Sequence, residues 1–381
     1  MTRDAQLFEL EKIHELREPI YIYGAGLAAQ NLADLIKTNT GISVNGFITT
    51  HESGVKVGGL PVSTLNSIWD KINHTDTTLI VVNQYSREII NQISKESVKL
   101  KLLDGIHFVF PAYQFLPEQL DSIQQNDIEF IVKHLSSERS KRIYKQLLKL
   151  RQMIPGDFSY QDIFRTFFSM MNSEYGEASD CYSTQYFEYL DLKPMKTIIE
   201  GGASNGSIST LLVQYLTDDG KLHSFDPQIR LMLDINEKSN YPRALLEAER
   251  RNQFVTIEAA LWHESGVQNF NMTGDTTGSI SDDGVEVKVI SLDEYCVLNN
   301  IEQVDFIKLD IEGAEPNCID GALDVLTRFR PSFAISIYHG NEQVISIPKR
   351  LMELLPDYTF EVGHHSNSPF LETVLYGAPG S

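Results

Sequence analysis

The chain has 381 residues, 32 basic against 52 acidic side chains, and a formal net charge of −20. That length allows two domains, each with its own core, and the acidic excess leaves no basic stripe for phosphates, which excludes nucleic acid and anionic membrane surfaces as expected partners. Three widely spaced cysteines, Cys181, Cys296 and Cys318, fit neither a disulfide framework nor a metal knuckle, so structural thiols in a reducing compartment are expected. The charged, amphipathic N-terminus has no apolar signal core, and no stretch reaches the ~20 apolar residues of a membrane span. The expectation is a soluble cytoplasmic protein.

Residues 1–116 read as a first α/β domain. A helix to about Leu16 precedes a strand from Pro19 to Tyr23, and Gly24 to Ala29 forms a GxGxxA turn into a helix, Gln30 to Lys37, whose free N–H groups suit a phosphate. The next strand, Ile42 to Ile48, ends at Thr49, Thr50 and His51, where dinucleotide binding calls for a carboxylate, so NAD is not expected. A strand from Thr78 to Asn83, a helix from Ser86 and a strand from His107 to Phe110 continue the alternation. The run GFITTHESGVKVGGLPVSTL resembles the nucleotide-binding N-terminal domain of bacterial sugar acyltransferases. That resemblance implies a pocket for a sugar nucleotide or nucleotide-bearing substrate; the other reading is a Rossmann-like unit kept for docking or homo-oligomer formation.

Residues 117–172 read as a helical connector. Apolar side chains recur at three and four from Ile123 to Leu135 and from Ile143 to Leu150. Arg139, Lys141, Arg142, Lys145, Lys149 and Arg151 form a basic face, expected to be solvated. Arg165, Phe167, Phe168, Met170 and Met171 follow on a further helix whose default role is packing.

Residues 173–381 carry the chemistry. Tyr182 to Gln185 precede a strand, Thr197 to Ile199, a small-residue turn, Glu200 to Ser207 (EGGASNGS), and a helix, Ile208 to Tyr215. Gly202 and Gly206 let the backbone bend tightly and approach a ligand. A further strand, Lys221 to Phe225, ends at Asp226, twenty residues after Gly206 (226 − 206 = 20), the spacing at which an acid reaches a nucleotide ribose. The strand Phe254 to Glu258 leads to Ala260, and NMTGDTTGSISDDG reads as a loop with Thr276 to Ser279 as candidate substrate contacts. The apolar run Phe306 to Leu309 (FIKL) stops at Asp310, Ile311, Glu312, Gly313, Ala314 and Glu315, and the strand FAISIYH ends at His339. In an α/β sheet, ligands sit beyond the carboxyl ends of strands, so Asp310 and His339 are expected side by side, at the same rim as Gly202. His364 and His365 lie in a later polar segment and read as solvated.

The segments IIEGGASNGSIS, LHSFDP, AALWHESGVQNF, VISLDEY, DFIKLDIEGAE, GALDVLTRFRPSFAISIYH and ETVLYG together resemble the FkbM-type S-adenosylmethionine-dependent methyltransferases from about Asp180 to Tyr376. The family usually has Asp where Glu200 stands and Asn where Ser204 stands. The resemblance implies an α/β protein with two Rossmann-like doubly wound domains, the C-terminal one a class I methyltransferase sheet. It implies S-adenosylmethionine on Glu200, Gly202, Ala203, Ser204, Gly206, Asp226 and Ala260, and methyl transfer to a hydroxyl of a sugar or polyketide-like small molecule. His339, as the group titrating nearest neutrality, is the expected base, with Asp310 orienting it or taking the proton itself and Glu312 beside them. Asp310 and Glu312 as ligands of a hard divalent cation are the alternative; their spacing fits no established metal motif, and no metal is expected. Two other functions stay open: a non-catalytic nucleotide-sensing or docking protein, and a sugar-nucleotide oxidoreductase using the N-terminal glycine turn.

Overall fold

The computed structural model describes residues 6–7, 16, 18–25, 27–50, 56–73, 75–82, 86–97, 99–105, 125–152, 160–175, 185–189, 193–204, 206–229, 250–271, 279–280, 284–340, 342–366 and 370–380. The chain forms two compact units, one of residues 1–117, 146–177 and 366–370, the other of residues 118–145, 178–365 and 371–381. The strand expected at His107 to Phe110, and Tyr182 to Thr184, Thr276 to Gly278 and Cys181, lie outside the described residues.

The first unit contains β1 (Gln6–Leu7), β2 (Ile20–Tyr23), α1 (Leu27–Thr40), β3 (Gly46–Thr49), β4 (Lys56–Val57), β5 (Leu60–Thr64), α2 (Leu65–Asn73), β6 (Thr78–Val81), α3 (Ser86–Glu96) and β7 (Lys101–Asp104). Its sheet runs β1-β7-β6-β2-β3-β5-β4 and is parallel apart from the β4–β5 pair. Strand alternation splits the IYIY of β2 between two cores: Ile20 and Ile22 pack with Leu32, Ile36 and Phe47, while Tyr21 and Tyr23 pack with Leu79, Ile90 and Ile93. Gly24, at φ 125°, ends β2 where a Cβ would lie 2.5 Å from the Val82 carbonyl oxygen. Of the stretch expected as a helix up to Leu16, Gln6 and Leu7 are instead a strand that pairs with Leu103 and Asp104 at the edge of β7, and the residues between Leu7 and Leu16 lie outside the described ones. β3 starts four residues later than expected because Asn45 bonds Ile20 twice, through its side chain and its backbone N–H.

Three helices follow, α4 (Gln125–His134), α5 (Glu138–Gln152) and α6 (Tyr160–Tyr175), with the division between the units falling inside α5. The basic face is not uniformly solvated. Lys141 pairs with Glu138 at 2.7 Å, but Arg151 is 1% exposed within the first unit and donates to the Phe370 carbonyl at 3.2 Å. A guanidinium on an apolar helix face can go inward when backbone acceptors meet it there.

The second unit holds β8 (Met195–Gly201), α7 (Ser207–Leu212), β9 (Leu216–Phe225), β10 (Phe254–Ile257), β11 (Ala260–Leu261), β12 (Gly266–Asn271), β13 (Ser279–Ile280), β14 (Val285–Ile290), α8 (Leu292–Leu298), β15 (Phe306–Leu309), α9 (Glu315–Asp320), β16 (Ser332–Ser336), α10 (Gln343–Leu354), β17 (Tyr358–His364) and β18 (Thr373–Pro379). The main sheet is ordered β10-β9-β8-β15-β16-β18-β17, with β18 antiparallel to both neighbours and the rest parallel. A small sheet, β11-β14-β12-β13, stands beside it in the chain order. Strand order reverses between β8 and β15, so a crevice opens beyond the carboxyl ends of these two strands. β15 is buried along its whole length, with Phe306, Ile307 and Leu309 at 2% exposure or less. Each such side chain stabilises the sheet by roughly 1.5–3 kcal/mol, which fixes the strand whose end carries Asp310. Among the described residues, no helix is long and apolar enough to cross a membrane, and Cys296 and Cys318 are buried free thiols.

Candidate active site

The glycine turn and the acidic loop meet at one rim. β8 and β15 pair in parallel with Gly201 opposite Leu309, and the Asp310 N–H donates to the Gly201 carbonyl at 3.2 Å. Gly202, at φ 74°, passes so close to the Asp310 carbonyl oxygen that a Cβ there would overlap it. The turn stays left-handed at Ser204 (φ 45°) and Gly206 (φ 78°). Backbone N–H groups of Gly202 and Ala203 donate to Phe225 at the end of β9, at 3.0 and 3.3 Å, and tie the turn to the strand that delivers Asp226.

Asp226 accepts from the Ser204 N–H at 3.0 Å and the Gln228 N–H at 2.8 Å. Burial raises its pKa, and those two N–H bonds and Lys308 oppose the rise. Glu200 is fully buried inside β8. One oxygen accepts from Ser209 on α7 and Ser224 on β9, both at 2.6 Å, while Oε1 is buried without a hydrogen-bond partner among the described residues. Burial raises its pKa against the pull of Lys308 and both serines. Ala260 opens β11, half-buried, three residues beyond the end of β10 at Ile257, whose carbonyl accepts from the Ala259 N–H.

The acidic loop is folded around Glu315, which is fully buried at the start of α9. Its carboxylate accepts from the Ile311 N–H at 2.9 Å, the Gly313 N–H at 3.1 Å and His339 Nδ1 at 2.8 Å. This forces the bend through Glu312 (φ 53°) and Gly313 (φ 100°) and fixes the imidazole ring. His339 Nε2 then points at Asp310 Oδ1, 3.4 Å away, and Glu312 Oε2, 3.6 Å away. Burial disfavours charge on this ring, but Glu315, Asp310 and Glu312 together lift its pKa to about 10. The expected neutral base is therefore an imidazolium in this arrangement. Burial also works to raise the Asp310 pKa, yet Lys308, His339 and the Tyr186 hydroxyl hold it below the ordinary value.

Behind Asp310 stands a polar wall that sequence reading passed over. Lys308, inside the apolar-looking FIKL strand, is 2% exposed; its Nζ donates to the Gly201 and Gly202 carbonyls at 3.1 and 2.7 Å and lies 5.1 Å over the Tyr186 ring. Tyr186 donates to Asp310 Oδ2 at 2.7 Å, and Tyr338 lies 3.4 Å from Oδ1. Burial and the Asp310 charge keep both phenols protonated, well above their usual pKa. Glu372, at φ 53°, bonds Gln185, and burial next to Asp310 raises its pKa to about 8. A lysine in a four-residue buried strand was the available signal, because an unpaired ammonium does not survive there. Glu372 was visible within ETVLYG but carried no spacing clue. Gln185 joins this wall through Glu372; His364 and His365 are fully buried rather than solvated, the latter against Tyr376 at 2.7 Å.

The group that the fold implies, S-adenosylmethionine, fits these residues. An orphaned buried carboxylate oxygen on Glu200, a left-handed small-residue turn and an acid at the end of β9 offer what a polar adenosyl moiety needs, and the rim carboxylates favour a sulfonium.

Residues 200–362 match the family described as the Methyltransferase FkbM domain. No curated protein matches the chain. Among solved structures, methyltransferase FkbM from Methylobacillus flagellatus KT is similar at 17% identity, with 94% of this chain and 89% of that one covered and a TM-score of 0.56. More distant are Aeropyrum pernix fibrillarin with natively bound S-adenosyl-L-methionine, at 12% identity over 52% of this chain and 72% of that one, TM-score 0.32, and the O-methyltransferase TomG from Streptomyces achromogenes in complex with SAM, at 9% identity over 70% and 100%, TM-score 0.29. The strand order, the shared rim and the family match agree: residues 200–362 match the methyltransferase FkbM domain, and the chain is a methyltransferase.

Proposed function

We propose that this methyltransferase acts on a hydroxyl oxygen of a small molecule, of the sugar or polyketide-like kind, at the rim between β8 and β15. The observation that carries this reading is the junction of Gly202 with Asp310, which puts a nucleotide-type turn and a carboxylate cluster within one crevice. S-adenosylmethionine supplies an electrophilic methyl on a sulfonium. Asp226 binds the ribose hydroxyls through its remaining lone pairs, while Glu200 holds the turn through Ser209 and Ser224. Asp310 takes the acceptor's proton, since His339 already carries one, and His339 with Tyr186 fixes the direction of its carboxylate. Alignment of acceptor and methyl contributes several kcal/mol, and a positioned base roughly 10²–10⁴-fold. The N-terminal unit, by its parallel βαβ alternation, suits a nucleotide-bearing ligand of its own.

The test is turnover against a panel of hydroxyl acceptors, sugars and nucleotide sugars included, with product mass as readout. Transfer of a methyl to oxygen, lost by about 10²-fold or more in Asp310→Asn with donor binding kept, supports the proposal. Methylation at nitrogen or carbon only, or full activity in Asp310→Asn, contradicts it.

A further inference from the structure

We infer that His339 Nε2, Asp310 and Glu312 form a site for a divalent cation, with Glu315 as the outer carboxylate that orients the histidine. Ligating atoms of Asp310, Glu315 and His339 lie within 4.8 Å of one another. Glu315 is spent on two backbone N–H groups and on Nδ1, so it serves as a second shell, the arrangement in which a carboxylate fixes the tautomer of a metal-binding imidazole. With Nδ1 donating to Glu315, Nε2 presents its lone pair once a cation has displaced the Nε2 proton.

The second observation is Nε2 itself. The His339 side chain is 6% exposed, and Nε2 is buried with no hydrogen-bond partner among the described residues. It nevertheless points at two carboxylate oxygens, 3.4 Å and 3.6 Å away. Those separations exceed the ~2.7–2.9 Å of a charge-assisted hydrogen bond. They match two ligands that each stand ~2.1 Å from one ion at a tetrahedral angle, which lie ~3.4 Å apart. Glu312 reaches this position through a left-handed backbone (φ 53°), and Gln343 Nε2 closes the bend by donating to the Gly313 carbonyl at 2.9 Å.

One imidazole with two carboxylates suits a borderline cation such as Mn²⁺ or Zn²⁺; Ca²⁺ wants six to eight oxygens at a longer distance. A proton is the competing occupant of Nε2, and the same carboxylates attract a doubly charged ion more strongly. Three ligands leave positions open for an acceptor oxygen. In the proposed reaction, on which this role but not the binding itself rests, the cation binds the acceptor hydroxyl and lowers its pKa. With Asp310 engaged on the cation, the O–H proton leaves to water, the oxygen–carbon bond forms as the carbon–sulfur bond breaks, and S-adenosylhomocysteine departs.

The experiment titrates MnCl₂, and separately ZnCl₂ and MgCl₂, into full-length protein stripped with chelator, without donor or acceptor, and reads bound Mn²⁺ by electron paramagnetic resonance. One Mn²⁺ per chain is expected, with His339→Gln and Asp310→Asn weakening it at least roughly tenfold and Glu315→Gln by roughly 10- to 100-fold. S-adenosylhomocysteine binding by each variant serves as the control that the unit is folded. No cation binding to the wild type at millimolar concentration overturns the inference, as does binding that folded His339→Gln and Asp310→Asn retain unchanged. The methyltransferase reading survives such a failure, because donor binding and turnover are measured apart from the cation.

Discussion

Gly202 is the residue at which the two loops of the site touch. Its φ of 74° and its contact with the Asp310 carbonyl leave no room for a Cβ, so Gly202→Ala must shift either the turn or the acidic loop. Loss of donor binding is expected, with a lowered melting temperature by differential scanning calorimetry; unchanged binding would show the turn to be less constrained than described. Ser204 is a milder case. A left-handed backbone costs a side-chain-bearing residue roughly 1–2 kcal/mol, less for Asn, whose amide bonds locally. Ser204→Asn, the residue usual in the family, is therefore expected to raise stability by a fraction of that amount in urea unfolding, with the Ser204 N–H bond to Asp226 preserved. At this scale the sequence disclosed positions but not partners. Gly202, Asp226, Asp310 and His339 were legible from strand ends and spacing. The protonated state of His339 was not, because it depends on Glu315, Asp310 and Glu312 arriving from a different strand end. Lys308 was hidden because a four-residue apolar run gives no hint that carbonyls of the neighbouring strand wait for an ammonium.

The elements that aim these residues are held by local devices. VISLDEY, one of the segments that carry the family resemblance, is built for structure: Ser291 caps α8 by accepting from the Glu294 N–H at 3.2 Å, and Asp293 accepts from the Asp324 and Val325 N–H groups. Ser291→Ala is expected to destabilise the second unit by about 1 kcal/mol without changing donor affinity; a change in affinity at equal stability would move this segment into the site. On β18, Gly377 lies against the Phe333 ring, which leaves no room for a Cβ. Gly377→Ala is expected to cost roughly 1–3 kcal/mol through overpacking, read as a lower denaturant midpoint. Strand and helix alternation through the second unit was legible from periodicity, as was the pairing of FIKL with FAISIYH. The β1 segment was not, since an amphipathic, charged stretch reads as helix unless a sheet edge such as β7 recruits it.

At the scale of the whole molecule, acid stability should report one buried ring. His223, on β9, bonds the Tyr295 hydroxyl at 2.8 Å, and burial followed by Lys221 lowers its pKa to about 4 from an ordinary value of 6.5. The unfolded chain binds this proton more readily than the folded one between those values, so stability falls as pH drops from about 6.5 toward 4. After allowance for its remaining solvent contact, the wild type should lose on the order of 1 kcal/mol more than His223→Gln between pH 7 and pH 5 in urea unfolding. Equal losses in the two proteins would remove His223 as a source of acid sensitivity. The family resemblance was legible in advance; the acceptor and the N-terminal unit's ligand were not, because surface pockets follow loops rather than periodicity. Calorimetric titration with S-adenosylmethionine and S-adenosylhomocysteine, for the wild type and Asp226→Ala, tests the central claim most directly. Both ligands should bind one per chain, NAD should not, and Asp226→Ala should weaken binding by roughly tenfold or more, about 1.4 kcal/mol. An absence of heat with either ligand, or equal affinity in Asp226→Ala, would contradict a donor site at the rim shared by β8, β9 and β15.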